Sequence, residues 1–245
     1  MPVIFVAGAS KGIGLEISKH LNSTGNEIIG LGRNFPPEVR DFFRETVELD
    51  ITFEDNIPKL YELLSKFDFK IQYLVNNIGK SGWKSLEKID QKFVSQIFNT
   101  NVFSHINITK ALLATHPIKS IVNIGSIAGR RGSANNTIYS ASKFAINGIT
   151  QSLAKELGPK GIRINTVSPV LISTPGLFSA LNEQDSPLDK LEIVEFMNDF
   201  AEKQSALKRL PTATEVAKVV SFLLGEESSA ITGQNINVDC GVFPQ

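Results

Sequence analysis

The sequence is poor in the residues that would staple it or tether a metal. One cysteine, Cys240, stands in 245 residues, so no internal disulfide can form and a metal site would need other ligands. The three histidines, His20, His105 and His116, show no metal-ligand spacing, and no metal is expected. An excess of one charge is missing too. The 25 basic and 25 acidic residues cancel, and no block of like charge occurs. That excludes bulk attraction to nucleic acid or to an anionic membrane, while leaving room for a local basic pocket. No apolar run approaches the length of a membrane span. The opening M-P-V-I-F-V-A-G-A-S lacks a basic stretch and turns glycine-rich at once, so it does not read as a secretory signal. A cytoplasmic location is expected. Repeats, low-complexity tracts and linkers are also missing, which argues for one domain over 1–245.

What is there is an alternation. Hydrophobic residues make up 42% of the chain, enough for a sizeable core. Short runs rich in Val and Ile read as buried strands over 3–7, 27–31, 46–49, 72–75, 120–124, 163–167 and 235–238. Amphipathic stretches between them predict helices over 13–22, 55–66, 92–113, 138–157 and 214–224. This pattern implies right-handed βαβ units: a Rossmann-type, doubly wound α/β fold with a parallel sheet and helices on both faces. Residues 187–207 read as one or two further helices without a strand beside them, an element added over the sheet's edge.

Four stretches carry chemistry. The first, A-G-A-S-K-G-I-G at 7–14, follows a strand and opens a helix. Gly8, Gly12 and Gly14 remove side chains so that a phosphate, or a neighbouring strand, can approach the backbone at a helix N-terminus. Glycines there also serve packing alone, but the strand–turn–helix context favours a dinucleotide. The second is L-G-R-N at 31–34, after the second strand. A carboxylate there would bond a ribose 2′-hydroxyl; instead Arg33 follows, and Lys11 in the glycine loop adds a second positive charge. Both favour NADP(H) over NAD(H), unless Arg33 is merely a solvated loop residue.

The third, N-N-I-G at 76–79, ends the fourth strand, where a flat ring or a plain turn would suit it. The fourth combines Ser126, at the end of the fifth strand, with Tyr139 and Lys143 in Y-S-A-S-K. Tyr139 and Lys143 are i and i+4 on one helix face, and Ala145, Ile149, Leu153 and Leu157 are expected to form the buried stripe below them. A phenol titrates near pH 10, and a nearby ammonium would lower that value toward use as an acid. A Tyr/Lys pair at this spacing is, by itself, more often a half-buried aromatic with a surface cation.

The order of these elements resembles the short-chain dehydrogenase/reductase family in its compact single-domain form, over essentially the whole chain. The nearest-looking group is the 3-oxoacyl-(acyl-carrier-protein) reductase type. The resemblance implies a catalytic set of Asn101, Ser126, Tyr139 and Lys143. It implies a cofactor set of Gly8, Ser10, Lys11, Gly12, Ile13, Gly14, Arg33, Asp50, Ile51, Asn77, Gly79, Tyr139, Lys143, Pro169, Ile172 and Thr174. In such a mechanism a hydride from NADPH reduces a substrate carbonyl, Tyr139 protonates its oxygen, Ser126 orients it, Lys143 lowers the Tyr139 pKa, and Asn101 keeps a water chain. Departures from the pattern are Ala7 for threonine, Ile78 for alanine, Val170 for glycine and Cys240 for glycine; none removes a catalytic group.

Substrate choice is expected from the loops 79–86 and 127–137 and from a lid at about 171–210. Arg130 and Arg131 would face solvent or meet an anionic substrate. The leading expectation is an NADP-dependent reductase of a small carbonyl substrate, assembled as a homodimer or homotetramer. An NAD(P)-dependent alcohol or sugar dehydrogenase working oxidatively would use the same residues. A non-catalytic NADP-sensing or scaffold protein would have no evident need for all four catalytic residues.

Overall fold

The computed structural model describes residues 1–188 and 191–244. Its strands are β1 (Val3–Ala7), β2 (Glu27–Gly32), β3 (Glu45–Glu48), β4 (Tyr73–Asn76), β5 (Ser120–Ile124), β6 (Arg163–Pro169) and β7 (Asn235–Val238). Every strand pairing is parallel, in the order β3-β2-β1-β4-β5-β6-β7. The sequence places each strand to within one or two residues at either end. The parallel arrangement explains the Val/Ile runs: β1 and β5 are buried along their whole length, so their residues are apolar or, as with Ser120 and Asn123, hydrogen-bonded.

The helices are α1 (Gly12–Ser23), α2 (Ile57–Ser65), α3 (Gln91–Phe98), α4 (Ser104–Thr115), α5 (Thr137–Leu157), α6 (Pro175–Leu181), α7 (Ile193–Gln204) and α8 (Ala213–Leu224). Two apolar layers result. One holds Leu60, Leu64, Ile108, Leu112 and Leu157 from α2, α4 and α5 against one face of the sheet. The other holds Ile17, Leu21, Val216, Val220 and Leu223 from α1 and α8 against the opposite face. Each such side chain, fully buried, contributes about 1.5–3 kcal/mol. The ends are fixed by side chains of the expected chemistry. Asp90 accepts the Phe93 N–H at 2.7 Å to cap α3, and Thr212 with Glu215 forms a reciprocal capping box on α8.

Three expectations change. The single helix expected over 92–113 is interrupted: α3 and α4 are joined by a π-helical turn, Asn99–Phe103. Nothing in the apolar spacing marks such a turn, since it keeps the chain helical while shifting the face that follows. The stripe expected below Tyr139 and Lys143 is also shifted. The buried residues of α5 are Ser140, Ser142, Lys143, Ile146, Thr150, Ala154 and Leu157, whereas Ala145, Ile149 and Leu153 are half-exposed. A strict step of four drifts off a 3.6-residue turn, and the core follows the mixed steps of three and four. In the added segment, α7 falls inside the expected 187–207, but α6 lies before it, started by Pro175 and capped by Thr174. Asp189 and Lys190 of that expectation lie outside the described residues.

Between the apolar layers, a buried polar chain crosses three strands. Asn76 Nδ2 donates to Thr109 Oγ1 and Asn123 Oδ1, each at 3.0 Å; Asn123 Nδ2 donates to Thr150 Oγ1 at 2.9 Å; Thr150 and Thr166 hydroxyls meet at 2.8 Å. At about 1 kcal/mol net per bond, this chain matters less for stability than for register. It ties α4 and α5 to β4, β5 and β6 at their carboxyl ends. The short turn 127–129 packs onto α5 there, and only a glycine fits: a Cβ on Gly129 would stand 2.7 Å from the Lys143 carbonyl oxygen. Gly129→Ala is therefore expected to lose about 1–3 kcal/mol of stability, read as a lower urea midpoint with an unchanged slope.

Candidate active site

In an open parallel sheet, ligands bind beyond the carboxyl ends of the strands, where the strand order reverses. Here the reversal lies between β1 and β4, which pair through Ala7 and Asn76. The glycine loop leaves β1 at that point. A Cβ on Gly14 would stand 2.1 Å from the Gly8 carbonyl oxygen and 2.4 Å from Asn77 Nδ2, so the loop closes only around a glycine. Lys11 precedes α1 and gives it no side-chain cap, which leaves the first-turn amides to an anion. Ser10 lies beside the end of β2, 3.1 Å from where a Gly32 Cβ would be, and the exposed Lys11 and Arg33 belong to the same corner. These residues fit the phosphate end of a dinucleotide.

The rest of the expected cofactor set is held in different ways. Asp50 is turned by its own chain: its carboxylate accepts the Thr52 N–H at 3.1 Å and the Thr52 hydroxyl at 2.7 Å. Ile51 and Ile172 are 3% and 4% exposed and belong to the two cores, so their main chain, not their side chains, is what a ligand can reach. Pro169 ends β6, and Ile13 packs at the edge of the α1 layer. Thr174 reaches over the glycine loop, 3.7 Å from a Cβ built on Gly12.

The four expected catalytic residues sit further along the same strand edge. The π turn buries Asn101, whose Oδ1 accepts the Lys80 N–H at 2.8 Å. Its Nδ2 donates to the Lys80 carbonyl at 3.0 Å and to Ser142 Oγ at 2.9 Å. Ser142 in turn donates to the Tyr139 carbonyl at 2.6 Å. Sequence reasoning passed over Ser142; its position, one residue before Lys143 and three after Tyr139, was the available signal. Ser126 starts the 127–129 turn by accepting the Ala128 N–H at 3.1 Å. Lys143 is only 5% exposed, and its Nζ donates to the Ile124 carbonyl at 2.9 Å. A Cβ on Gly79 would stand 3.6 Å from that Nζ and 3.7 Å from Asn101 Oδ1. The reading of Lys143 as a surface cation is excluded.

The electrostatics differ from expectation in one respect. Burial pushes the Tyr139 phenol above its ordinary value, against the opposing pull of a hydrogen bond from Ser126. Lys143 does not offset this in the protein alone, because its Nζ lies 5.9 Å from the Tyr139 ring centre and is turned to Ile124. Lys143 itself is pushed down to about 8 by burial.

The expected substrate loops are tied to one another. Glu183 Oε2, from the segment after α6, accepts the Trp83 N–H at 3.1 Å. Asp185 accepts from the Ser85 N–H at 3.2 Å and from Lys88 Nζ at 2.6 Å. Asn135 joins them, donating to the Asp185 carbonyl at 3.3 Å and accepting the Lys84 N–H at 2.6 Å. Segments 80–88, 133–136 and 183–186 thus form one wall. Arg131 is exposed and lies over the Phe243 ring at 6.0 Å.

A buried ammonium opposes folding while it is charged. In the unfolded chain Lys143 holds its proton up to about pH 10.5, in the folded chain to about 8. Between these values the unfolded state binds more protons, so stability from this group rises with pH. Lys143→Met is expected to raise the thermal midpoint of the cofactor-free protein at pH 7 and to flatten the rise in stability from pH 8 to 9.5. Paired thermal melts across that range check it.

The chain is similar to known proteins in sequence and in fold. A family model described as enoyl-(acyl carrier protein) reductase matches residues 8–243. L-xylulose reductase of Caenorhabditis elegans is 33% identical over 97% of this chain and 94% of its own. The 3-oxoacyl-(acyl-carrier-protein) reductase of Vibrio cholerae is 28% identical over 98% of this chain and 97% of its own. Among solved structures, the ligand-free aldohexose dehydrogenase of Thermoplasma acidophilum superposes with a TM-score of 0.88 at 29% identity, covering 98% of this chain and 93% of the other. A variant of the actinorhodin polyketide ketoreductase with NADPH gives 0.89 at 27%, covering 100% and 98%. With a model match across nearly its full length, this chain belongs to the short-chain dehydrogenase/reductase family and is an NAD(P)-dependent oxidoreductase.

Proposed function

We propose that the protein is an NADP-dependent reductase that converts a small carbonyl substrate to an alcohol, with Tyr139 as the acid. The observation that carries this reading is the convergence of buried Asn101 and Lys143 with half-exposed Ser126 and Tyr139 at one strand edge, beside the glycine loop. When bound, NADPH supplies the hydride. The chain's own residues do the rest. Tyr139 gives its phenolic proton to the substrate oxygen, and Ser126 donates a hydrogen bond to that oxygen as charge develops. The Lys143 ammonium, 5.9 Å from the Tyr139 ring centre, would stabilise the phenolate formed by this transfer and so offset the burial that raises the free phenol. Asn101, fixed by Lys80 and Ser142, holds the π turn open for a water chain that returns the proton.

Lys11 and Arg33, both exposed at the corner between β1 and β2, favour a 2′-phosphate, and the NADPH complex of the polyketide ketoreductase supports the same choice. An oxidative dehydrogenase acting on an alcohol or sugar uses the same groups, and the likeness to the aldohexose dehydrogenase favours it. The joined wall of 80–88, 133–136 and 183–186 serves as the substrate lid. We also propose assembly as a homodimer or homotetramer. Phe103, Ile106 and Phe144 are 51%, 39% and 48% exposed on the π turn, α4 and the neighbouring α5, an apolar surface suited to self-association.

Nicotinamide fluorescence on titration with NADPH and NADH tests the reading. Much tighter NADPH binding is expected, and preference for NADH would overturn the cofactor assignment. Tyr139→Phe is expected to keep NADPH affinity within about threefold while kcat falls by roughly 10³-fold or more in a screen of ketones, oxoacyl thioesters and keto-sugars. Phe144→Asp is expected to lower the mass in solution, read by light scattering after size exclusion.

A further inference from the structure

Residues 77–80 form the floor between the glycine loop and Lys143, and they are held from both ends. Asn77 Nδ2 donates to the Gly8 carbonyl at 3.0 Å, and the Asn101 side chain takes both the N–H and the carbonyl of Lys80. Between these ties, the Ile78 carbonyl is met by His105 Nε2 at 2.8 Å. His105 lies in the first turn of α4, just beyond the π turn that carries Asn101.

The ring is 2% exposed. A carbonyl only accepts, so Nε2 must carry the proton and Nδ1 must be bare. Nδ1 is buried without a partner among the described residues. Burial first, and the charge of Lys143 second, hold the imidazole near a pKa of about 3, so it is a neutral donor at any working pH. An aliphatic side chain would fill this space without stranding a lone pair. What only a histidine-like donor adds is the bond to Ile78. Gly79 follows directly, and a Cβ built there lies 3.6 Å from Lys143 Nζ, so a shift of the Ile78 peptide moves the floor against that ammonium.

We propose that His105 is a positioning residue for the cofactor-side loop 77–80, acting through the Ile78 carbonyl to fix Gly79 against Lys143. The inference rests on the proposed dinucleotide site. His105 touches neither cofactor nor substrate; it sets where the loop stands. Its position cannot be found from the glycine, Asn-Asn or Tyr/Lys patterns, because His105 belongs to none of them.

The test compares His105→Leu, His105→Gln and His105→Asn with the parent protein. The readouts are NADPH titration by fluorescence, hydrogen exchange of the 77–80 amides, and the KM–kcat split. Leucine removes the donor; glutamine places an N–H about as far out as Nε2; asparagine is too short to reach Ile78. The leucine and asparagine proteins are expected to bind NADPH roughly tenfold more weakly, with KM for cofactor rising more than kcat falls, and to exchange 77–80 faster. Glutamine is expected to restore affinity to within about threefold. A folded leucine protein with unchanged affinity and exchange overturns the proposal, as does equal behaviour of the glutamine and asparagine proteins. Should leucine abolish folding, the glutamine–asparagine comparison decides alone. If the parent binds neither NADPH nor NADH, the proposed function fails instead, and hydrogen exchange still separates a clamped loop from an unclamped one.

Discussion

The arrangement depends on a buried charge. Lys143 carries its ammonium into a region where, among the described residues, it donates to the Ile124 carbonyl alone, and burial draws its pKa down to about 8. Holding a cation there costs stability that a methionine or leucine would not cost. The scaffold tolerates it because the surrounding groups are fixed beforehand. Gly129 lets the turn after β5 press onto the Lys143 backbone, and the Asn76–Asn123–Thr150–Thr166 chain pins α5 to the sheet. A charge so held needs little rearrangement when a negative group forms beside it, which is how preorganised sites gain their advantage.

The π turn at 99–103 is the second constraint. It diverts Asn101 inward, where both ends of its amide are used on Lys80 and Ser142. Through these bonds the end of β4, the helix after it and α5 become one unit. The segment after α6 is joined to residues 80–88 by its carboxylates, with Glu183 on the Trp83 N–H and Asp185 on the Ser85 N–H and the Lys88 ammonium. The apolar cores hold the sheet and helices together; these polar ties decide where the site's atoms lie.

Much of this was legible in the chain. Strand runs and helical periods gave the doubly wound sheet, since strands buried on both faces must be apolar at successive positions. Ser126, Tyr139 and Lys143 stood out because i and i+4 share a helix face and because strand ends collect functional groups in such sheets. Less visible were the features made by a partner distant in sequence. Ser142 matters because Asn101, 41 residues earlier, donates to it. Glu183 and Asp185 matter because peptides 100 residues earlier point at them. The direction of the Tyr139 shift was misjudged because spacing along a helix says nothing of where an ammonium turns once a carbonyl competes for it.

The sequence by itself determined which residues could do chemistry and in what order the sheet would present them. Periodicity and glycine placement are local properties, and they act before the chain is compact. Tertiary structure decided burial and partners: that Lys143 lies inside, that Ala145 and Ile149 stay half-exposed, that His105 donates to Ile78. Desolvation and hydrogen-bond choice depend on which atoms arrive from distant parts of the chain, and no short pattern encodes that meeting.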